Sequence, residues 1–542
     1  MSTQDWWRDA VFYQIYPRSF FDSNGDGVGD LQGILDHLDH LRGAPDALGV
    51  DAIWLSPIYP SPNFDFGYDV KDHEAVDPAF GTLELFDQLV EACHRRGIKV
   101  VLDLVMNHTS HLHPWFREAS ASRDNPKRDW YLWADPLPHR RPPNRWKSVF
   151  GGSAWEWHQE TEQYYYHMFL REQPDLNWRN REVRERMYRT MRFWLDRGVD
   201  GFRLDVFNAY IKDNLLRDNP LKLGRRPYDM QRHVYDLDRP ELLEILHEIR
   251  KVADEYPGSV LVGEPLGSDP DVAARYLGDG SDMLHLVFNF ELLEQPWHPG
   301  AIQRALRRWD RAVPPGAQPC HVLSNHDVSR HATRYGGGPD SDARAKVAAM
   351  LLLTQRGTPF LYAGEEIGLK DTPIPYIEIQ DPLGKRYWPF YKGRDGCRAP
   401  IPWDSSPHGG FTRGQPWLRV TPEYPNRNMA AQKEDPDSVF HFYRRLIALR
   451  RESPALLRGR WLPMIARPTR VFAYLRECEE QTMLVALNFT NWHVRVNLCS
   501  ALPPYRWKVR LSSSDSTHER IRGTSTRITL HPYEACILER VV

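Results

Sequence analysis

The chain has 542 residues, of which 70 are Lys or Arg and 72 are Asp or Glu, for a formal net charge of −2. So close a balance gives no field to recruit nucleic acid or an anionic membrane, and predicts a small neutral molecule as the partner. No apolar run approaches the length of a membrane span, and the N-terminus lacks the basic start and apolar core of a secretion signal, which predicts a cytoplasmic protein.

Eight apolar runs read as strands. In chain order they are VFYQIYP (11–17), DAIWLSPIY (51–59), KVVLDLV (99–105), DGFRLDV (200–206), SVLVGE (259–264), MLHLVFNF (283–290), CHVLSN (320–325) and TPFLYAGE (358–365). Helix-compatible stretches lie between several of them. Over 181–197, Val183, Met187, Met191 and Trp194 recur at spacings of three and four and stop at Gly198. Eight strands with helical connectors predict a (β/α)8 barrel, carried by residues 1–107 and 178–460. The stretch 108–177 is too long for an ordinary loop and is crowded with aromatic residues, so it predicts a small inserted domain after the third strand. From about 461, VFAYLRE, TMLVALNF, HVRVNL, RWKVRL and ACILERV predict a C-terminal antiparallel β-sandwich domain over 461–542. Cys93, Cys320, Cys397, Cys478, Cys499 and Cys536 form no CxxC pair and are expected to be reduced packing residues.

Four of the strand candidates end on acids, in DLVMNH (103–108), GFRLD (201–205), VGEP (262–265) and SNHD (324–327). Strand ends that converge on one mouth of a barrel make an active site. Two carboxylates there suit glycoside hydrolysis, one attacking the anomeric carbon and the other protonating the leaving oxygen. Asp205 and Glu264 are the expected pair. Arg203, two residues before Asp205, is expected to hold that acid ionised, while the apolar run before Glu264 favours its neutral form, so the two pKa values should move apart. Asp327, preceded by Asn325 and His326, is a third acid able to bind ring hydroxyls and steady positive charge in the transition state.

These segments resemble the conserved regions of glycoside hydrolase family 13, the α-amylase family. QPDLN (173–177), DFGYDV (65–70), SVFGGSAW (148–155) and GRDGCRAPIPW (393–403) resemble its oligo-1,6-glucosidase and α-glucosidase branch. The resemblance implies a nucleophile at Asp205, an acid/base at Glu264 and a stabiliser at Asp327, with Arg203, His108 and His326 as subsite partners. It implies further that Asp65 pairs with Arg398 to close a pocket around terminal glucose, that Tyr68 stacks on the sugar, and that Phe150, Phe169 and Gln173 line it. The expected activity is a retaining, exo-acting α-glucosidase with glucosyl transfer as a side reaction. Alternatives are an oligo-1,6-glucosidase, towards which Val206 points, a sucrose-active glucosyltransferase, or a non-catalytic relative. No organic cofactor is expected, and the sequence is silent on oligomeric state.

In DSNGDGVGD (22–30), Asp22, Asn24 and Asp26 alternate as oxygen donors and Asp30 returns four residues later. The twelfth position from Asp22 is Gly33 where a calcium switch needs Glu, so the loop is no EF-hand. The resemblance implies one structural Ca2+ or Mg2+ held there, with the carbonyl of Val28 as a further ligand. An Asp/Gly turn without metal is the other reading.

Overall fold

Strands buried on both faces need apolar residues at every position, and this is why continuous runs rather than alternating ones mark the barrel. The computed structural model describes residues 5–336, 338–464, 469–497, 506–514 and 527–541. Its first strands are β1 (Phe12–Ile15), β2 (Ala52–Leu55) and β3 (Lys99–Leu104). An inserted antiparallel sheet follows, with β4 (Trp133–Ala134), β5 (Trp155–His158) and β6 (Gln163–Tyr166) in the order β4-β6-β5. The barrel resumes with β7 (Gly201–Leu204), β8 (Val260–Gly263), β9 (Leu286–Asn289), β10 (Cys320–Val322) and β11 (Thr358–Tyr362). All eight barrel strands pair in parallel and β11 closes onto β1, with Phe12 opposite Phe360. Each of the eight expected runs thus holds one barrel strand.

Side chains alternate between two cores. Phe12, Trp54, Val101, Val262, Phe288 and Phe360 fill the barrel interior. Tyr13, Ile15, Ile53, Leu55, Val100 and Leu102 join the larger core shared with the helices. The helix Arg181–Asp196 starts where the Asn180 side chain accepts from Glu182 N, and it buries Val183, Met187, Met191 and Trp194. Burying Val183, Met187 and Met191 stabilises by about 1.5–3 kcal/mol each. Gly201 is required where β7 meets β8. Its φ is +149° and a Cβ there would lie 2.1 Å from the Val260 carbonyl oxygen.

The C-terminal region contains β12 (Arg460–Pro463), β13 (Val471–Glu477), β14 (Thr482–Asn488), β15 (Val494–Asn497), β16 (Arg506–Ser512), β17 (Arg527–Leu530) and β18 (Ala535–Val541). They form a five-stranded antiparallel sheet, β12-β13-β14-β18-β16, facing a two-stranded one, β15-β17. The odd-numbered residues Val471, Ala473 and Leu475 pack between the sheets, whereas Phe472 and Tyr474 enter the core shared with the barrel. Strands β12 and β17 go beyond the sequence reading, because RWLP and RITL are short and β12 leaves Arg460 and Leu462 exposed. Cys93, Cys320, Cys397, Cys478 and Cys536 are free thiols, and Cys499 lies outside the described residues. Among the described residues, no helix is long and apolar enough to cross a membrane.

Candidate active site

The C-terminal ends of the barrel strands bring the acids together around Arg203 on β7. Its Nη1 donates to Asp103 Oδ1 and to Asp205 Oδ1, each at 2.7 Å, and its Nη2 meets Glu264 Oε2. Asp103 and Asp205 sit on adjacent strands because β3 and β7 pair with Asp103 opposite Arg203. Glu264 follows β8 one residue past Gly263, which pairs with Leu204. Sequence reasoning gave Arg203 to Asp205 alone, but a guanidinium has two ends and serves both acids. Burial pushes Asp205 well above the usual carboxylate range and raises Glu264 as well, with Arg203 opposing in each case. Burial likewise takes Asp103 up to about 6. The expected divergence of Asp205 and Glu264 is therefore not present. Three buried carboxylates share one guanidinium, and the cluster retains protons that isolated acids would lose.

Glu264 is also reached by the backbone N–H of Val206. That residue follows Asp205 and adopts a left-handed conformation, φ 36° and ψ 41°. For a β-branched side chain this costs about 1–3 kcal/mol, and the strain is located beside the reacting groups.

Asp327 faces a second cationic cluster. Arg398 Nη2 donates to its Oδ1 at 2.6 Å and Arg394 Nη1 at 3.1 Å, while His326 Nε2 lies 3.3 Å from Oδ2. Burial would raise this acid, but the surrounding positive groups hold it well below the usual range. Burial also takes His326 down to about 3, so at neutral pH the imidazole is uncharged and the two guanidiniums act on Asp327. Gln14 Nε2 lies 2.7 Å from His326 Nδ1, which assigns the ring proton to Nε2, facing Tyr68 Oη at 2.6 Å and Asp327.

Asp65 is closed off by Arg394, whose Nη2 donates to its Oδ1 at 2.8 Å. The expected pair Asp65 with Arg398 is corrected accordingly: Arg398, one helical turn later, is committed to Asp327 and to the His326 carbonyl at 2.8 Å. Arg394 is steadied by the buried Asp381, through Nη2 at 2.8 Å and through its own N–H at 2.8 Å. Arg394 stands within the quoted GRDGCR segment; Asp381 carried no signal of its own. From the inserted domain, Gln173 donates to Asp65 Oδ2 at 3.2 Å and approaches His108 Nε2 at 3.1 Å. Asp175 anchors that segment by accepting from Asn107 at 2.8 Å and pairing with the buried Lys212. His108 is held neutral by burial, down to about 4, and the Phe169 ring lies 5.2 Å from its own. Phe150 receives the Arg394 guanidinium 5.3 Å over its ring. Tyr68 donates to Asp103 at 2.9 Å and stacks on His326 within 2° of parallel, so its ring is engaged by a protein partner. Cys397 is buried, and its thiol faces the carbonyls of Arg394 at 3.0 Å and His326 at 3.4 Å.

The pattern of strand-end acids on a closed parallel barrel is matched in known proteins. Residues 14–459 match the family model "Alpha amylase, catalytic domain", and residues 465–537 match "Maltogenic Amylase, C-terminal domain". The chain belongs to the α-amylase family, glycoside hydrolase family 13. It is 49% identical over 470 residues to a probable alpha-glucosidase of Rhizobium meliloti strain 1021, covering 84% of each chain. It is 39% identical to the oligo-1,6-glucosidase of Heyndrickxia coagulans, covering 98% of this chain and 99% of that one. The solved structure of the alpha-glucosyl transfer enzyme XgtA superposes with a TM-score of 0.91 at 42% identity, covering 99% of both chains.

In this α-amylase-family chain the 22–30 loop wraps around its own acids. Asp22 accepts from Gly25 N and Gly27 N, both at 2.7 Å, Asn24 accepts from Asp26 N at 2.9 Å, and Asp26 accepts from Val28 N at 2.8 Å. Asp30 turns partly away, capping Gly33 N at 2.6 Å and holding Ser23 through its other oxygen. Among the described residues, no three His, Cys, Asp or Glu side chains are drawn together as a metal cluster. Yet Asp22 and Asp30 are both buried at 4% exposure, and neither they nor Asp26 pair with a described Lys or Arg. Buried oxygen donors without a counter-charge fit a hard cation.

Proposed function

We propose that the protein is a retaining, exo-acting α-glucosidase that removes terminal α-D-glucose from short oligosaccharides or α-glucosides. The observation that carries this reading is the linked group Asp65, Arg394, Asp327 and Arg398 facing the Arg203 acids, because paired side chains that wall off one end of a sugar site admit a chain terminus rather than its interior. With the retained proton on Glu264, Asp205 attacks the anomeric carbon as the carboxylate, through the oxygen that Arg203 leaves free, and Glu264 protonates the departing oxygen and then activates water. Asp327, kept ionised by Arg394 and Arg398, binds ring hydroxyls and steadies the oxocarbenium-like charge. His108 and His326, held neutral, flank the site without adding a cation that would oppose that charge. Phe150, Phe169 and Gln173 shape the wall of the glucose site. Transfer to a sugar or alcohol competes with water at the glycosyl-enzyme, a reading that the similarity to XgtA supports.

An NMR time course of maltose cleavage is expected to show α-glucose appearing first, and β-glucose first would overturn the mechanism. Initial rates at matched low concentrations compare specificity constants. Maltose is expected to be cleaved faster than isomaltose; the reverse moves the chain to the oligo-1,6-glucosidase reading that Val206 favours.

The same proposal places one Ca2+ or Mg2+ in the 22–30 loop, held by Asp22, Asn24, Asp26, the Val28 carbonyl and Asp30, as a structural support remote from the chemistry. Chelation is expected to lower the melting temperature by several degrees. Melting that is unchanged by chelator returns the loop to an Asp/Gly turn.

A further inference from the structure

At the opposite end of the barrel, a narrow cleft lies between the helix Pro299–Ala312, the N-terminal ends of β10 and β11, and β12. Its free space is small and admits one particle about the size of a water molecule or a small ion. Trp309, Gln355 and Trp461 line it, and all three are buried, at 1%, 2% and 8% exposure. Trp309 Nε1, Gln355 Nε2 and Trp461 Nε1 are buried donors without an acceptor among the described residues. An indole N–H can only donate, so the unmet demand in this cleft is for an acceptor.

The surrounding charge points the same way. Arg450 and Arg476 are buried at 1% and 0% exposure and bond only to main-chain carbonyls, those of Leu353, Gln355, Gly357 and Leu456 for the first and of Thr354 and Gly459 for the second. Neither has a carboxylate within ion-pair distance among the described residues. Arg356, at the cleft itself, is answered by Asp310 at 2.9 Å. Asp9 and Asp51 also act on Arg450 from beyond ion-pair distance, but each is already paired, Asp9 with Arg458 and Asp51 with Arg42 and Arg451, so guanidiniums remain in excess, and the helix-terminal carbonyls at 353–355 supply only partial negative charge. Uncompensated buried cations are unfavourable. His321, which lines the cleft, is held neutral by burial and by these three guanidiniums, down to about 3, so it adds no further charge.

We infer that this cleft binds one small monovalent anion of the chloride class, held by Trp309 Nε1, Gln355 Nε2 and Trp461 Nε1 at the junction of the barrel and the C-terminal sheet. A water molecule accepts only two hydrogen bonds, brings two protons of its own and carries no charge. Sulfate and phosphate exceed the space.

The test uses the full-length protein in sodium chloride, sodium bromide and sodium gluconate at matched ionic strength, together with anomalous diffraction from a bromide-soaked crystal. Chloride and bromide are expected to raise the melting temperature by a few degrees over gluconate, saturably, with one anomalous peak among the three donors. Trp461→Phe keeps the ring and removes one donor; it is expected to lose at least half of the halide increment. Gln355→Glu places a carboxylate in the cleft and is expected to abolish the increment, so the inference stays testable if one variant folds poorly. Equal melting in all three salts overturns it, and so does a cleft that shows no bromide peak.

Discussion

The two ends of the barrel solve the burial of guanidinium in opposite ways. At the catalytic mouth, Arg203 is surrounded by three carboxylates, Asp103, Asp205 and Glu264. At the base, Arg450 and Arg476 meet none within ion-pair distance among the described residues and rest on carbonyl oxygens. Acid in excess of base keeps protons available for transfer and holds nucleophile and acid within reach of one cation. Base satisfied by carbonyls has no titratable partner within bonding distance and serves to join elements. The difference teaches that a buried arginine says little alone; the charge of its partners separates a chemical site from a joint.

The largest effect is expected from Asp205→Asn. Turnover should fall to the detection limit in an aryl α-glucoside assay while the melting temperature stays the same or rises, because one buried acid has been taken from a cluster that has too many. Unaltered hydrolysis would remove Asp205 from the nucleophile's role. Next, Arg203→Met leaves three acids buried without their cation and should destabilise by about 3–5 kcal/mol. Arg476→Met should cost less, about 1–3 kcal/mol, since it leaves only the Thr354 and Gly459 carbonyls unpaired. Chemical denaturation of the two variants side by side checks the order, and equal losses would break the contrast between the two ends. The smallest effect concerns Asp69, which burial raises to about 6 and which accepts from Ser61, Phe64 N and Asp65 N in the turn that presents Asp65. Its folded pKa lies above the unfolded value near 4, so the native state binds the extra proton, and stability from this group declines as pH rises from about 4 to 6. Asp69→Asn should flatten that part of a melting temperature against pH curve, and an unchanged slope would assign the decline elsewhere.

Much of this arrangement is written locally in the chain. Barrel strands show in the sequence because both faces are buried, and Asp205, Glu264 and Asp327 show because each ends an apolar run. What escapes local reading is pairing across distance. Arg394 rather than Arg398 reaches Asp65 because Asp381, thirteen residues earlier, folds back to fix its guanidinium, and no spacing announces that return. The sharing of Arg203 among three acids is a matter of strand register, which the pairing of β3, β7 and β8 sets and composition does not. Strand β12 was hidden because an edge strand half in solvent needs no apolar run, and β17 because four residues give too short a signal.

The five-stranded C-terminal sheet turns one face to its small partner sheet and the other, with Phe472, Tyr474, Met483, Val485 and Leu487, into the main core. Its removal would strip an oily surface bare on the catalytic body, so this region is not a detachable module. A chain cut after the barrel should clump rather than fold, and grafting this tail onto another barrel would require the receiving wall to be rebuilt to match it.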